Sequence, residues 1–120
     1  MDAHDFVTVS MREEVVLVSP LAPEELLRPF LQSLIRKLRE GGCTMVGHIK
    51  GMLEDGGPSP LFFSVTSLEA EPQFKGGPLR TAERFALSIT VIVASIGEAE
   101  IGRLIAESLS EVSGDRGGPE

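Results

Sequence analysis

Apolar and polar positions alternate with period two in Phe6-Val7-Thr8-Val9-Ser10-Met11, the pattern of a strand with one covered face. Val15-Val16-Leu17-Val18 is apolar throughout. It either extends that strand past Arg12-Glu13-Glu14 or forms a short one of its own. Ser19-Pro20 breaks the run. Pro23-Glu24-Glu25 then reads as a helix first turn, with proline where the missing N–H costs nothing and acids at the positive end of the dipole. Leu27, Leu31, Leu34, Ile35 and Leu38 recur at helical spacing, and Gly41-Gly42 ends the helix. Pro29 lies inside this pattern and predicts a kink or a restart near Arg28, because an interior proline forfeits a backbone bond.

Three strands are expected next. Cys43 to Leu53 lies between glycine pairs. Leu61 to Ala70 follows, and after a break from Glu69 to Arg84 comes the clearest strand, Arg84 to Ser95, in which Phe85, Leu87, Ile89, Val91 and Val93 alternate without a fault. A last helix starts near Gly97, with Ile101, Leu104, Ile105, Leu109 and Val112 on one face. The order β-α-β-β-β-α predicts an α+β, two-layer sandwich: a four-stranded, mainly antiparallel sheet with both helices on one face. The expected division is a single domain over 1–112 and a disordered tail over 113–120. The glycine pairs, three of them followed by proline, are irregularly spaced and act as punctuation, not as a repeat.

Splitting each strand by parity gives a helix-facing set that includes Met45, Gly47 and Ile49, and an opposite set. That opposite set contains Thr8, Ser10, Val46, Phe62, Thr66, Leu68, Ser88, Thr90 and Ile92, with Arg12, His48 and Lys50 its only charged or chargeable members. A solvated sheet face normally carries more charge than this. A covered face is therefore expected, and with no third layer in the sequence the cover is a second copy of the chain.

His48 and Lys50, at i and i+2 in Gly47-His48-Ile49-Lys50-Gly51, share one strand face beside glycines that let a ligand approach the backbone. A histidine works as acid or base near neutrality and a lysine holds an anion, with Ser64 and Thr66 as hydroxyl partners. Against this stands the plainer role of two polar residues on an interface, since no acid or nucleophile sits at a fixed spacing from them. Cys43 trails a helix C-terminus, whose dipole opposes a thiolate, and reads as a small core residue. His4, Cys43 and His48 have no metal-ligand spacing, and the Gly-Gly-Pro loops lack the Lys-Ser/Thr of a phosphate loop. No metal or cofactor is expected.

Composition narrows the classes. The 120 residues, 42% hydrophobic, suit one core, and a single cysteine rules out a disulfide scaffold. Six Phe with no Trp or Tyr deprive the chain of the rings most used to stack bases or anchor interfaces. The net charge of −7 opposes nucleic acid, although Arg36, Lys37 and Arg39 make the first helix basic. The acidic start is unlike a secretory signal, and the longest apolar stretch, Phe85 to Ile96, is far short of the ~20 residues that span a bilayer. One free thiol fits a reducing, cytoplasmic compartment. Two functions are consistent with these features. One is a small self-associating binding or assembly module without catalysis, forming a homo-oligomer and open to a protein partner. The other is a small-molecule-binding or catalytic domain using His48 and Lys50.

Overall fold

The computed structural model describes residues 5–77 and 79–113. The chain runs β1 (Phe6–Leu21), α1 (Pro23–Glu40), β2 (Met45–Glu54), β3 (Leu61–Val65), β4 (Gln73–Gly76), β5 (Ala82–Ala94) and α2 (Glu98–Ser113). This is an α+β fold with an antiparallel sheet of five strands, in the order β1-β5-β2-β3-β4, and two helices. The fifth strand is β4, which falls where a loop was expected. It pairs Phe63 with Phe74 and Phe62 with Lys75 along the outer side of β3. Four residues are too few for periodicity to declare a strand.

The last strand in sequence lies between the first two. β5 is antiparallel to β1, matching Val9 with Val91 and Val15 with Phe85, and antiparallel to β2, matching Ile49 with Val91 and Leu53 with Leu87. β1 and β2 are thereby parallel to each other and separated by one strand, with α1 as the connection between them. Phe85, Leu87, Ile89, Val91 and Val93 are all buried, together with Ile49, Leu53, Phe63 and Val65 of the neighbouring strands. Helix α1 adds Leu26, Leu27, Phe30, Leu31, Leu34 and Leu38 to the same core, and α2 adds Ile101, Leu104 and Ile105. Each such side chain contributes about 1.5–3 kcal/mol on burial.

Helix α1 begins with Pro23 in the first turn. Ala22 has no side-chain acceptor, so half a capping box forms: Glu25 Oε1 accepts the Ala22 N–H at 2.8 Å. The helix passes Pro29 as one element, so the sequence's expected restart is absent. Pro29 is on the exposed side, where the carbonyl left without its helical donor can meet water. Between the helices, Lys37 Nζ stands 2.8 Å from Glu111 Oε2 and Ser33 donates to Glu111 Oε1 at 2.7 Å. These two contacts hold the Glu111 carboxyl below the ordinary glutamate range, the lysine contact being the larger cause. Helix α2 runs to Ser113, and the rest of the expected tail lies outside the described residues, as does His4.

The parity rule fails in two places. A register shift between Val46 and His48 puts a bulge at Gly47, so Val46 pairs with Val93 and is buried on the helix side. Val46 was expected on the open face and Met45 on the helix side. The extra residue exchanges them, and Met45 is exposed. Gly47 instead lies under the open face, where an added Cβ would stand 3.1 Å from Phe6 Cε1 and 3.2 Å from Ile92 Cγ2. Leu68 was also expected on the open face. β3 ends at Val65, the chain turns, and Leu68 packs against the helix-side core.

At Gly51 a Cβ would fall 2.0 Å from the Ser88 carbonyl oxygen and 2.7 Å from Phe63 Cζ, so backbone must move to admit it. Gly102, on α2, has nothing within 4 Å of that position. In chemical denaturation, Gly51→Ala is expected to destabilise by more than ~2 kcal/mol, while Gly102→Ala is expected to stabilise by about 0.5–1 kcal/mol.

Candidate functional site

With both helices on one side, the even-numbered positions of β1 and β5 and their partners form the other side of the sheet. Strand pairing sets these residues in rows. One row is Ser10, Thr90, Lys50, Ser64 and Gln73; the next is Arg12, Ser88, Met52, Phe62 and Lys75. Each row crosses five strands, about 19 Å at an inter-strand spacing of ~4.8 Å. His48 stands in a third row with Ile92 and Thr8. This side is not flat. A trough of about 930 Å³ runs over it, lined by both long rows and by His48. That volume is within the range of small-molecule sites.

The trough is rich in cations. Arg12 Nη1 donates to Ser88 Oγ at 2.8 Å and lies 3.3 Å from Glu54 Oε1, an exposed pair whose main effect is to fix where the guanidinium points. Lys50, Lys75 and His48 have no hydrogen-bonding or ionic partner among the described residues. Ser10 and Thr90 hydrogen-bond to each other at 2.9 Å, leaving each hydroxyl further capacity. Between the lysines lies an apolar strip: Phe62, 49% exposed, is opposite Met52 on one side and Lys75 on the other. The site therefore presents unpaired positive charge beside an apolar surface, in a chain whose net charge is −7.

Of the residues named from sequence, His48, Lys50, Ser64, Ser10, Ser88, Thr90 and Phe62 line the trough. Thr8 and Ile92 share the face without lining it. Thr66 is exposed past the end of β3 and is not part of the trough lining. Val46 and Leu68 are on the far side of the sheet, as described above. The sequence reading did not single out Arg12, Met52, Gln73 or Lys75 as site residues. Arg12 and Met52 were legible, because they share parity with Ser10 and Lys50. Gln73 and Lys75 were not, since their place depends on β4.

Cys43 is buried between α1 and β2, its Sγ 3.5 Å from the Met45 carbonyl oxygen. Burial pushes its thiol above the ordinary cysteine range, with backbone hydrogen bonds opposing to a lesser degree. Asp55, after β2, accepts the Gly57 N–H at 2.9 Å and the Arg80 N–H at 3.3 Å, and these donors lower its carboxyl. It ties the β2–β3 turn to the segment before β5. Among the described residues no group of three or more His, Cys, Asp or Glu comes together in a way that could hold a metal ion. No helix is long and apolar enough to cross a membrane among them.

No family model matches the chain, and no curated protein matches it. Two solved structures are similar in part. One is the Zn(II)-bound YjiA GTPase from E. coli, at 20% identity with a TM-score of 0.42; the other is a Zn(II)-bound triple mutant of YjiA GTPase, at 21% and 0.43. Each alignment covers 83% of this chain and 29% of the other, so the chain spans less than a third of those proteins' length.

Burial of Cys43 has a direct chemical readout. Its modification by a disulfide reagent at mildly alkaline pH is expected to be at least ~10-fold slower in the folded protein than in denaturant, because both access and thiolate fraction are reduced. Equal rates in the two states would contradict the buried placement.

Proposed function

We propose that this chain is a small binding module without a reaction of its own, and that its open sheet face holds an organic anion with an apolar body. The observation that carries the reading is the pair Lys50 and Lys75, cations without acidic partners among the described residues, on the wall of a trough with Phe62 between them. An anionic head bound there displaces no existing ion pair. Its charge-assisted bonds to the ammonium groups are each worth about 1.5–3 kcal/mol before the costs of association. The apolar body lies over Met52 and Phe62, and Ser64 and Thr90 supply hydroxyls. Arg12, held by Glu54 and Ser88, offers a further oriented donor at the β1 end of the same row.

A second copy is a poorer occupant of this face. A two-fold contact presents each patch to itself, so stacking open face on open face brings the cationic patch of one copy over the same patch of the other. Catalysis by His48 is also less well supported than binding. A base acts efficiently when a second group orients its ring, and His48 has no such partner among the described residues.

The test is an NMR titration with octanoate and octyl phosphate, with octanol as the uncharged control. Both anions are expected to shift amides of β2, β3 and β5, and octanol to bind at least ~10-fold more weakly. Lys50→Ala and Lys75→Ala should each weaken octanoate by roughly 5–10-fold, and Phe62→Ala should weaken all three ligands. Equal binding of octanol and octanoate, or shifts confined to the helices, would overturn the reading.

A further inference from the structure

We propose that two copies of this chain join through the outer edge of β1, antiparallel, in a register centred on Met11. β1 ends the sheet order, so one side of it pairs with β5 and the other has no strand beside it among the described residues. Its stretch from Phe6 to Val16 keeps unbroken register with β5, a long straight edge of the kind that recruits another strand. Proline and irregular register are confined to one end, between Val16 and Leu21.

Symmetry and charge select the register. A two-fold axis normal to the sheet keeps helix side with helix side, so facing residues share parity and the axis passes midway between one residue and its own copy. Centring on Arg12, Glu13 or Glu14 places that charge directly opposite itself, which disfavours pairing. Centring on Ser10 puts Phe6 opposite Glu14. Met11 is the midpoint of the regular segment, and about it Phe6 meets Val16, Val7 meets Val15, Val9 meets Glu13, Thr8 meets Glu14 and Ser10 meets Arg12. No like charges face each other. Phe6 and Val16, 46% and 51% exposed in the single chain, cover each other twice. The product is one continuous sheet built from both copies, with both open faces on the same side. The pairing does not depend on any ligand.

Light scattering and sedimentation equilibrium over the low- to high-micromolar range test this. The wild-type chain is expected to show twice the 12.9 kDa monomer mass. Val16→Glu, which sets a charge against Phe6 of the other copy, should weaken the dimer by at least ~10-fold while circular dichroism keeps its native form. Val18→Glu, at a 78% exposed position beyond the paired segment, should leave the mass unchanged. A monomer throughout the range would overturn the proposal, as would a dimer that Val16→Glu leaves intact or that Val18→Glu weakens equally.

Discussion

Burial of Phe85, Leu87, Ile89, Val91 and Val93 beneath the helices sets the phase of β5, and β5 hydrogen-bonds both β1 and β2. A strand has only two faces. Once the odd positions of β5 are committed to the core, its even positions are committed to the other side, and each paired strand inherits that division. Ser10, Arg12 and Lys50 sit where they do because Thr90 and Ser88 do. A slip of one residue at β5 would send the cations of β1 and β2 into the helix-side core, where unpaired charge is prohibitively costly. The placement of the candidate site and the stability of the fold thus rest on the same constraint.

The open face joins two kinds of surface that proteins usually keep apart. Phe62 and Met52 give it an apolar strip, and Lys50, Lys75 and Arg12 surround that strip with positive charge. The remainder of the chain is acidic, and its other cations on the helix side are largely engaged: Lys37 with Glu111, Arg28 with Glu24, Arg103 with Glu100 and Glu107. Contrast within one molecule helps a ligand to orient. Positive charge is concentrated over this concavity in a chain whose net charge is −7.

Much of this was legible in the chain. The helices announced themselves through Leu27, Leu31, Leu34 and Leu38 and through Ile101, Leu104 and Ile105, because a two-turn apolar stripe leaves a strong periodic signal. β5 was equally plain. What escaped was short or irregular. Gln73-Phe74-Lys75-Gly76 is held as a strand by its partner β3, a non-local interaction that a local pattern does not encode. Val46 and Leu68 escaped because a bulge and an early strand end each change parity, and parity is the quantity from which faces were read. Lys50, Ser64 and Thr90 came out on one face because the strands carrying them are regular through those positions.

The bulge at Gly47 reaches beyond the two residues it exchanges. Inward positions of β2 run Val46, Ile49, Leu53, so the step across the bulge is three and then becomes even. One residue therefore acts as a phase adjuster between the two ends of a single strand. Because of it, Val46 and His48, two positions apart in the chain, face opposite sides of the sheet, while from His48 onward the alternation that presents His48 and Lys50 is regular. Deleting Gly47 would remove the bulge and make Val46 and His48 ordinary neighbours on opposite faces, so that β2 would alternate regularly with Val46 still inward and Lys50 still outward.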